Sequence, residues 1–435
     1  MTSHDNALSS AQAQPVGAAT SGAPPDPAAA TARRPAGGVV DPYRPTGDTL
    51  DHLLADQPAF RRRQLDQWLR RGISDPTAMT DLPLWLRARL AERFPGAPTV
   101  LRHLTADEGL THKVLLELGD GEAIESVLLC YPADARRRTS AGDTNAGGRR
   151  RGRATVCIST QAGCAMGCPF CATGQAGLRR QLRTDEVIAQ IVAVQDLLRD
   201  GSTPDGTVVR ADGVPDHLTN VVFMGMGEPL ANLDVTVATI RWLIDREGFD
   251  LSARGITVST IGLVPGIRRL MALRAPITLA ISLHAPNDEL RDQLVPVNRQ
   301  HPLDELLAAC DAYVDATGRR LTFEYVMIDG VNTDVAHAHE LAALLAPRRA
   351  HVNLIPMNPT PAVGWVAPPA AAQRRFAAVL DDRGLTATIR HNRGTNIDAA
   401  CGQLYANYAM ASGRRLPAAE RVLPMAAQTA PAAGR

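Results

Sequence analysis

No run of about 18 apolar residues occurs in this 435-residue chain, so no segment reads as a membrane-spanning helix. The first residues lack the basic-then-apolar order of a secretory leader. Seven cysteines, three of them within one short loop, are too few and too clustered for a disulfide framework in a chain of this size. The formal net charge is only +1, which by itself argues neither for nor against a nucleic-acid partner. These absences leave a protein without membrane contact, expected in a reducing cytoplasm. Hydrophobic residues make up 45 % of the chain, enough for one large domain and a smaller one.

Composition divides the chain. Residues 1–45 and 409–435 are rich in Ala and Pro, lack large apolar residues and read as disordered tails. Residues 46–100 turn helical: Phe60, Leu65, Trp68 and Leu69 share a face, ringed by Arg61, Arg62, Arg63, Arg70 and Arg71. A second helix should start near Asp81 as N-cap, with Pro83 in its first turn and Leu86, Leu90 and Phe94 facing inward. This small basic domain suits RNA, although an arginine-coated solvated surface fits the composition as well. Residues 101–135 alternate apolar and polar and predict a short β-hairpin. Residues 136–153 form a Gly/Ser/Thr/Asn segment with seven arginines: a basic flexible loop for phosphate contact, or a solvated insertion.

From 154 to 408 strands and helices alternate. Strands are expected at 155–159, 219–224, 256–260, 277–283, 321–327, 351–356 and 385–390, with helices at 185–199, 235–246, 303–316, 336–345 and 373–382. Repeated strand–helix units imply parallel strands with right-handed crossovers. The expected class is α/β, a partial (β/α) barrel with chemistry at the C-terminal ends of its strands.

Directly after the first of these strands lies Gly163-Cys-Ala-Met-Gly-Cys-Pro-Phe-Cys-Ala-Thr-Gly174. Its C-x3-C-x2-C spacing offers three thiolates, from Cys164, Cys168 and Cys171, where a saturated 4Fe–4S cluster takes four. Three ligands leave one iron free for the amino and carboxylate groups of S-adenosylmethionine (SAM). The motif therefore resembles that of the radical-SAM superfamily. The rival is zinc completed by a distant Cys or His, although no clean second ligand pair is present. Gly225-Met-Gly-Glu-Pro229 closes the second barrel strand and resembles the segment that holds the SAM amino group, through Gly227 and Glu228. Ser259, Ser282, Leu283, His284 and Asn358 at later strand ends are expected as further SAM contacts, although for Ser259 and Asn358, taken singly, capping and turn roles fit better.

Cys157 precedes the three-cysteine loop within its strand, and Cys401 follows the last strand in a Gly/Asn/Thr loop. A barrel would bring both to one rim. Cys130 and Cys310 read instead as small core hydrophobes. Together with Phe60-Arg-Arg-Arg-Gln-Leu-Asp-Gln-Trp68 and Glu125, these motifs resemble the RlmN family of adenine carbon-2 methyltransferases over residues 55–408, with Cfr-type carbon-8 enzymes as close relatives. The resemblance implies a 4Fe–4S cluster, two SAM molecules, 23S rRNA and tRNA as substrates, and an electron donor such as flavodoxin or ferredoxin with its reductase. It also implies a monomer. In it, Cys401 is methylated first, a 5′-deoxyadenosyl radical takes hydrogen from that methyl, and the carbon radical adds to adenine. Cys157 then releases the product and forms a disulfide with Cys401, and Glu125 or Cys157 accepts the carbon-2 proton. The alternative of another class is a zinc-stabilised RNA-binding protein without catalysis.

Overall fold

The computed structural model describes residues 40–43, 49–94, 96–133, 151–202 and 206–404. Most of the two tails and of the arginine-rich segment (Arg136 to Arg150) lies outside the described residues. Three short helices come first: α1 (Thr49–Leu53), α2 (Ala59–Arg70) and α3 (Leu84–Ala91). Leu65 and Leu69, four apart and hence on one helical face, are buried with Leu86, Leu90 and Phe94 in a separate small core. Two details differ from the sequence expectation. Phe60 is exposed, under the guanidinium of Arg61, and the N-cap of α3 is Pro83. Asp81 instead accepts a hydrogen bond from the Trp68 indole, which pins the turn before α3 to α2. Val40 of the Ala/Pro-rich stretch is buried in the same core.

Strands β1 (Thr99–Ala106), β2 (Thr111–Glu117), β3 (Ala123–Tyr131) and β4 (Arg153–Cys157) run antiparallel in sequence order. The expected hairpin is thus three strands, fused to the barrel through Val127↔Cys157 pairing. The reason is physical: β2 and β3 are buried almost throughout, a pattern that a free two-stranded hairpin could not sustain. A small hairpin, β5 (Gln161–Gly163) and β6 (Leu178–Gln181), brackets the short helix α4 (Ala172–Ala176).

The β/α alternation then follows: α5 (Thr184–Asp200), β7 (Asn220–Phe223), α6 (Leu233–Ile244), β8 (Ile256–Thr260), α7 (Val264–Met271), β9 (Thr278–Ser282), α8 (Asp288–Leu294) and α9 (Leu303–Thr317). It continues through β10 (Leu321–Met327), α10 (Val335–Leu345), β11 (Ala350–Pro356), α11 (Ala370–Asp382) and β12 (Thr386–Ile389). The ten-stranded sheet has the order β1-β2-β3-β4-β7-β8-β9-β10-β11-β12, parallel from β4 onward. Its edges, β1 and β12, do not pair, so the barrel is partial. Along β8, Ile256, Val258 and Thr260 are buried on one face, while Thr257 and Ser259 turn to the lumen. The helices cover the apolar face, and the lumen receives the polar side chains.

Candidate active site

The three-cysteine loop is shaped by short-range bonds. Cys164 N–H donates to the Gly177 carbonyl at 3.0 Å, and Cys171 N–H to the Cys168 carbonyl at 3.1 Å. The Gln175 amide closes the turn on the Pro169 carbonyl at 2.6 Å. All three cysteines line one cavity of about 170 Å³ at the C-terminal ends of the strands. Burial pushes the Cys164 thiol up to about 12, and burial with the neighbouring thiols raises Cys168 well above its ordinary value. Such thiols ionise when a cationic centre relieves them. Among the described residues no three His, Cys, Asp or Glu side chains converge as a single ion would require. Three thiols lining one cavity fit a 4Fe–4S cluster, whose cysteine ligands stand on separate irons.

Across the cavity, Glu228 is buried, with Oε1 accepting from Leu230 N–H at 2.9 Å and Oε2 from Ile261 N–H at 3.0 Å. Burial raises its carboxyl to about 7, poised for a cationic partner. The glycines ahead of it are required. Gly227 has φ 102°, and a Cβ at Gly225 would meet the Ile158 carbonyl oxygen at 2.6 Å. His284 accepts the Val326 N–H at Nδ1 (3.0 Å), which leaves its proton on Nε2, and burial keeps the ring neutral with a pKa of about 3. Ser259 and Ser282 place their hydroxyls 3.4 Å apart on adjacent strands. Gly227, Glu228, Ser259, Ser282, His284 and Asn358 all line this cavity.

Leu283 does not. Its side chain is in the core, its N–H donates to the Glu324 carbonyl, and its own carbonyl accepts from Arg291 Nε. The fully buried Arg291 also holds the Ile261 and Ser282 carbonyls at 2.6 and 3.2 Å, so one guanidinium ties the ends of β8 and β9 together.

Cys401 lines the cofactor cavity and also a second cavity of about 230 Å³ deeper in the lumen, where Cys157 joins it. Both are free thiols, so no disulfide joins them in this structure. Cys401 is open to solvent, yet enough protein surrounds it that desolvation raises its pKa; Arg390 opposes that rise and Glu324 adds to it. Burial raises the Cys157 thiol far more, and Cys401 adds to the effect. Asn358 does double duty: it lines the cavity, and its Nδ2 donates to the Cys401 carbonyl at 3.0 Å while Asn392 donates to its Oδ1. Glu125 lies outside the lining of both cavities, buried in an ion pair with Lys113 at 3.0 Å. Cys130 and Cys310 are fully buried, as inert core thiols should be.

Sequence reading missed Glu324, Asn353 and Arg390. Asn353 Nδ2 donates to Glu324 Oε1 at 2.9 Å, and all three line the deeper cavity beside Cys401. The available signal was a carboxylate and an amide at paired positions of two adjacent, mostly apolar strands.

The radical SAM superfamily profile matches residues 207–342. A probable dual-specificity RNA methyltransferase RlmN of Frankia alni is 48 % identical over 381 residues, covering 86 % of this chain and 84 % of that one. Its counterpart from Salinispora tropica is 48 % identical over 354 residues, covering 80 % and 88 %. The crystal structure of a radical SAM methyltransferase from Sphaerobacter thermophilus superposes with a TM-score of 0.70 at 47 % identity, covering 82 % of this chain and 96 % of that one. With 48 % identity over 86 % of its length to one such enzyme and the same fold as a solved radical SAM methyltransferase, the chain belongs to the RlmN family of radical SAM RNA methyltransferases.

Proposed function

We propose that this protein methylates carbon 2 of adenine in 23S rRNA and in tRNA, with Cys401 as the methyl carrier. The observation that supports this reading most is the position of Cys401 on the wall common to both cavities, facing the cofactor on one side and Cys157 on the other. When bound, the cluster and SAM supply a methyl group and a 5′-deoxyadenosyl radical; Cys164, Cys168 and Cys171 would hold the cluster and Glu228 the SAM ammonium. Carbon 2 is an electron-poor amidine carbon, so the methyl must travel on a chain residue. Cys401 takes it as a thiolate, a state favoured by the Arg390 charge and opposed by burial.

Once the carbon bridge to the base has formed, the Cys157 thiolate attacks Cys401 Sγ. A sulfur–sulfur bond forms, and the carbon–sulfur electron pair stays on the methylene carbon, which takes a proton from solvent to become the methyl of the freed base. An external two-electron reductant then restores both thiols. Of the two candidates for the carbon-2 proton, Glu125 and Cys157, only Cys157 lines a cavity beside Cys401, which favours it. Flavodoxin or ferredoxin with its reductase suits the electron supply, and the protein acts as a cytoplasmic monomer. Among the described residues no helix is long and apolar enough to cross a membrane. Nucleoside mass spectrometry of rRNA and tRNA from cells with and without the gene tests the reading. Loss of 2-methyladenosine from both RNAs supports it, whereas loss of the 8-methyl isomer would make this a Cfr-type enzyme.

A further inference from the structure

Of the 46 Lys and Arg residues in the chain, 45 are arginine, and the single lysine is Lys113. It is also one of the most deeply placed cations, with a side chain 3 % exposed. Its Nζ stands 3.0 Å from Glu125 Oε1 and donates to the backbone carbonyl of Asp398 at 3.3 Å. A chain that uses arginine at every other cationic position uses here a compact ammonium with tetrahedral donors, which can reach one carboxylate oxygen and one carbonyl in a confined space. A planar five-donor fork would need more room and more acceptors.

The carbonyl it reaches is special. Asp398 adopts left-handed backbone (φ 51°), unusual for a residue with a side chain, and Cys401 follows three positions later. The loop from β12 to Cys401 spans the unpaired edges of the sheet and is tied down along its length. Gly394 N–H donates to Asp107 Oδ2 at 3.0 Å, and Ala172 N–H donates to the Gly402 carbonyl at 2.7 Å. Lys113 holds the middle. A buried ion pair adds little net stability compared with apolar residues of the same volume, so its presence calls for another reason.

We infer that Lys113 is a positioning residue for the methyl-carrying loop: its ammonium, held by Glu125, fixes the Asp398 carbonyl and thereby sets where the Cys401 thiol stands. Glu125 then acts on the chemistry through Lys113 and the loop. The inference rests on the reading that Cys401 carries the methyl, so its test is run without SAM or RNA.

The measurement is the alkylation rate of Cys401 by iodoacetamide in the full-length protein, followed by peptide mass spectrometry, together with the melting temperature. Lys113→Met removes the ammonium from the buried Glu125; it should lower the melting temperature and speed Cys401 alkylation about tenfold or more, because a charged hydrogen bond to the loop is lost. The double variant Lys113→Met/Glu125→Met removes both charges and keeps the volume. It should regain the wild-type melting temperature while Cys401 stays fast, a separation that a purely structural pair could not produce. Lys113→Arg should resemble Lys113→Met in Cys401 reactivity. A wild-type alkylation rate in the double variant, or recovery of rate and melting temperature together, would overturn the assignment.

Discussion

Two loops line the cofactor cavity side by side, joined by the Ala172–Gly402 bond, and most of their other bonds come from different places. The loop of Cys164, Cys168 and Cys171 is shaped mainly by bonds within residues 164–177, such as Cys171 to Cys168, Gln175 to Pro169 and Cys164 to Gly177, with distant ties from Ala172, Thr173 and Gln175 that follow it. The loop of Cys401 is held from afar, by Asn358 on one side, Lys113 and Asp107 on another and Ala172 on a third. A metal-binding loop needs fixed spacing, which local sequence supplies. The proposed methyl carrier must meet a cofactor, a base and a second thiol, and its place is set by parts of the fold that meet only after the sheet has formed.

That contrast predicts different failures. Replacing Cys164, Cys168 or Cys171 with Ala should have the largest effect, abolishing both bound iron and methyl transfer, since one of three ligands is lost. Iron content and visible absorbance after anaerobic reconstitution check it, and full iron with full activity in any variant would remove that cysteine from the ligand set.

Next comes Glu228→Gln, which should weaken SAM binding by about 1.5–3 kcal/mol, the range for a hydrogen bond to a charged group. The pH response follows from the raised carboxyl. Below about 7 the free site holds Glu228 protonated, so it cannot pair with an ammonium. SAM affinity should therefore strengthen as pH rises through about 7 and then level off, with the Gln variant flat across the same window. A wild-type curve as flat as the variant's would exclude Glu228 as the ammonium partner.

A smaller effect is expected from Asn358→Ala. It removes the donor to the Cys401 carbonyl, at about 1 kcal/mol. Methylation of Cys401 should slow several-fold at unchanged iron content. A loss of iron instead would erase the distinction between the two loops.

The same contrast explains what the sequence disclosed. The parallel strands were legible from β-branched runs between amphipathic segments, and Ile256–Thr260 and Leu321–Met327 match to the residue. That the three cysteines share one loop and one cavity was legible because they are neighbours in sequence. Cys401 was legible only as a thiol in an unlikely loop, and its route there was misread. β4 and β12 do not meet; the loop itself bridges the gap between β12 and the antiparallel strands. The third antiparallel strand was missed because β1 is exposed over half its length and shows a weak apolar pattern. Glu324 and Asn353 were passed over because only the register Glu324↔Asn353 makes them a pair. Arg291, seven residues past His284, reads as a surface helix residue until the carbonyls that it holds are seen.

The most direct test of the account is the fate of RNA in the Cys157→Ala variant. Cys401 can still load and transfer the carbon in that variant, but no thiol in the deeper cavity can release it. The account predicts a covalent protein–RNA adduct on a denaturing gel, sensitive to nuclease and absent when Cys401 is also replaced. Cys157→Ala protein free of RNA and turning over at the wild-type rate would contradict it.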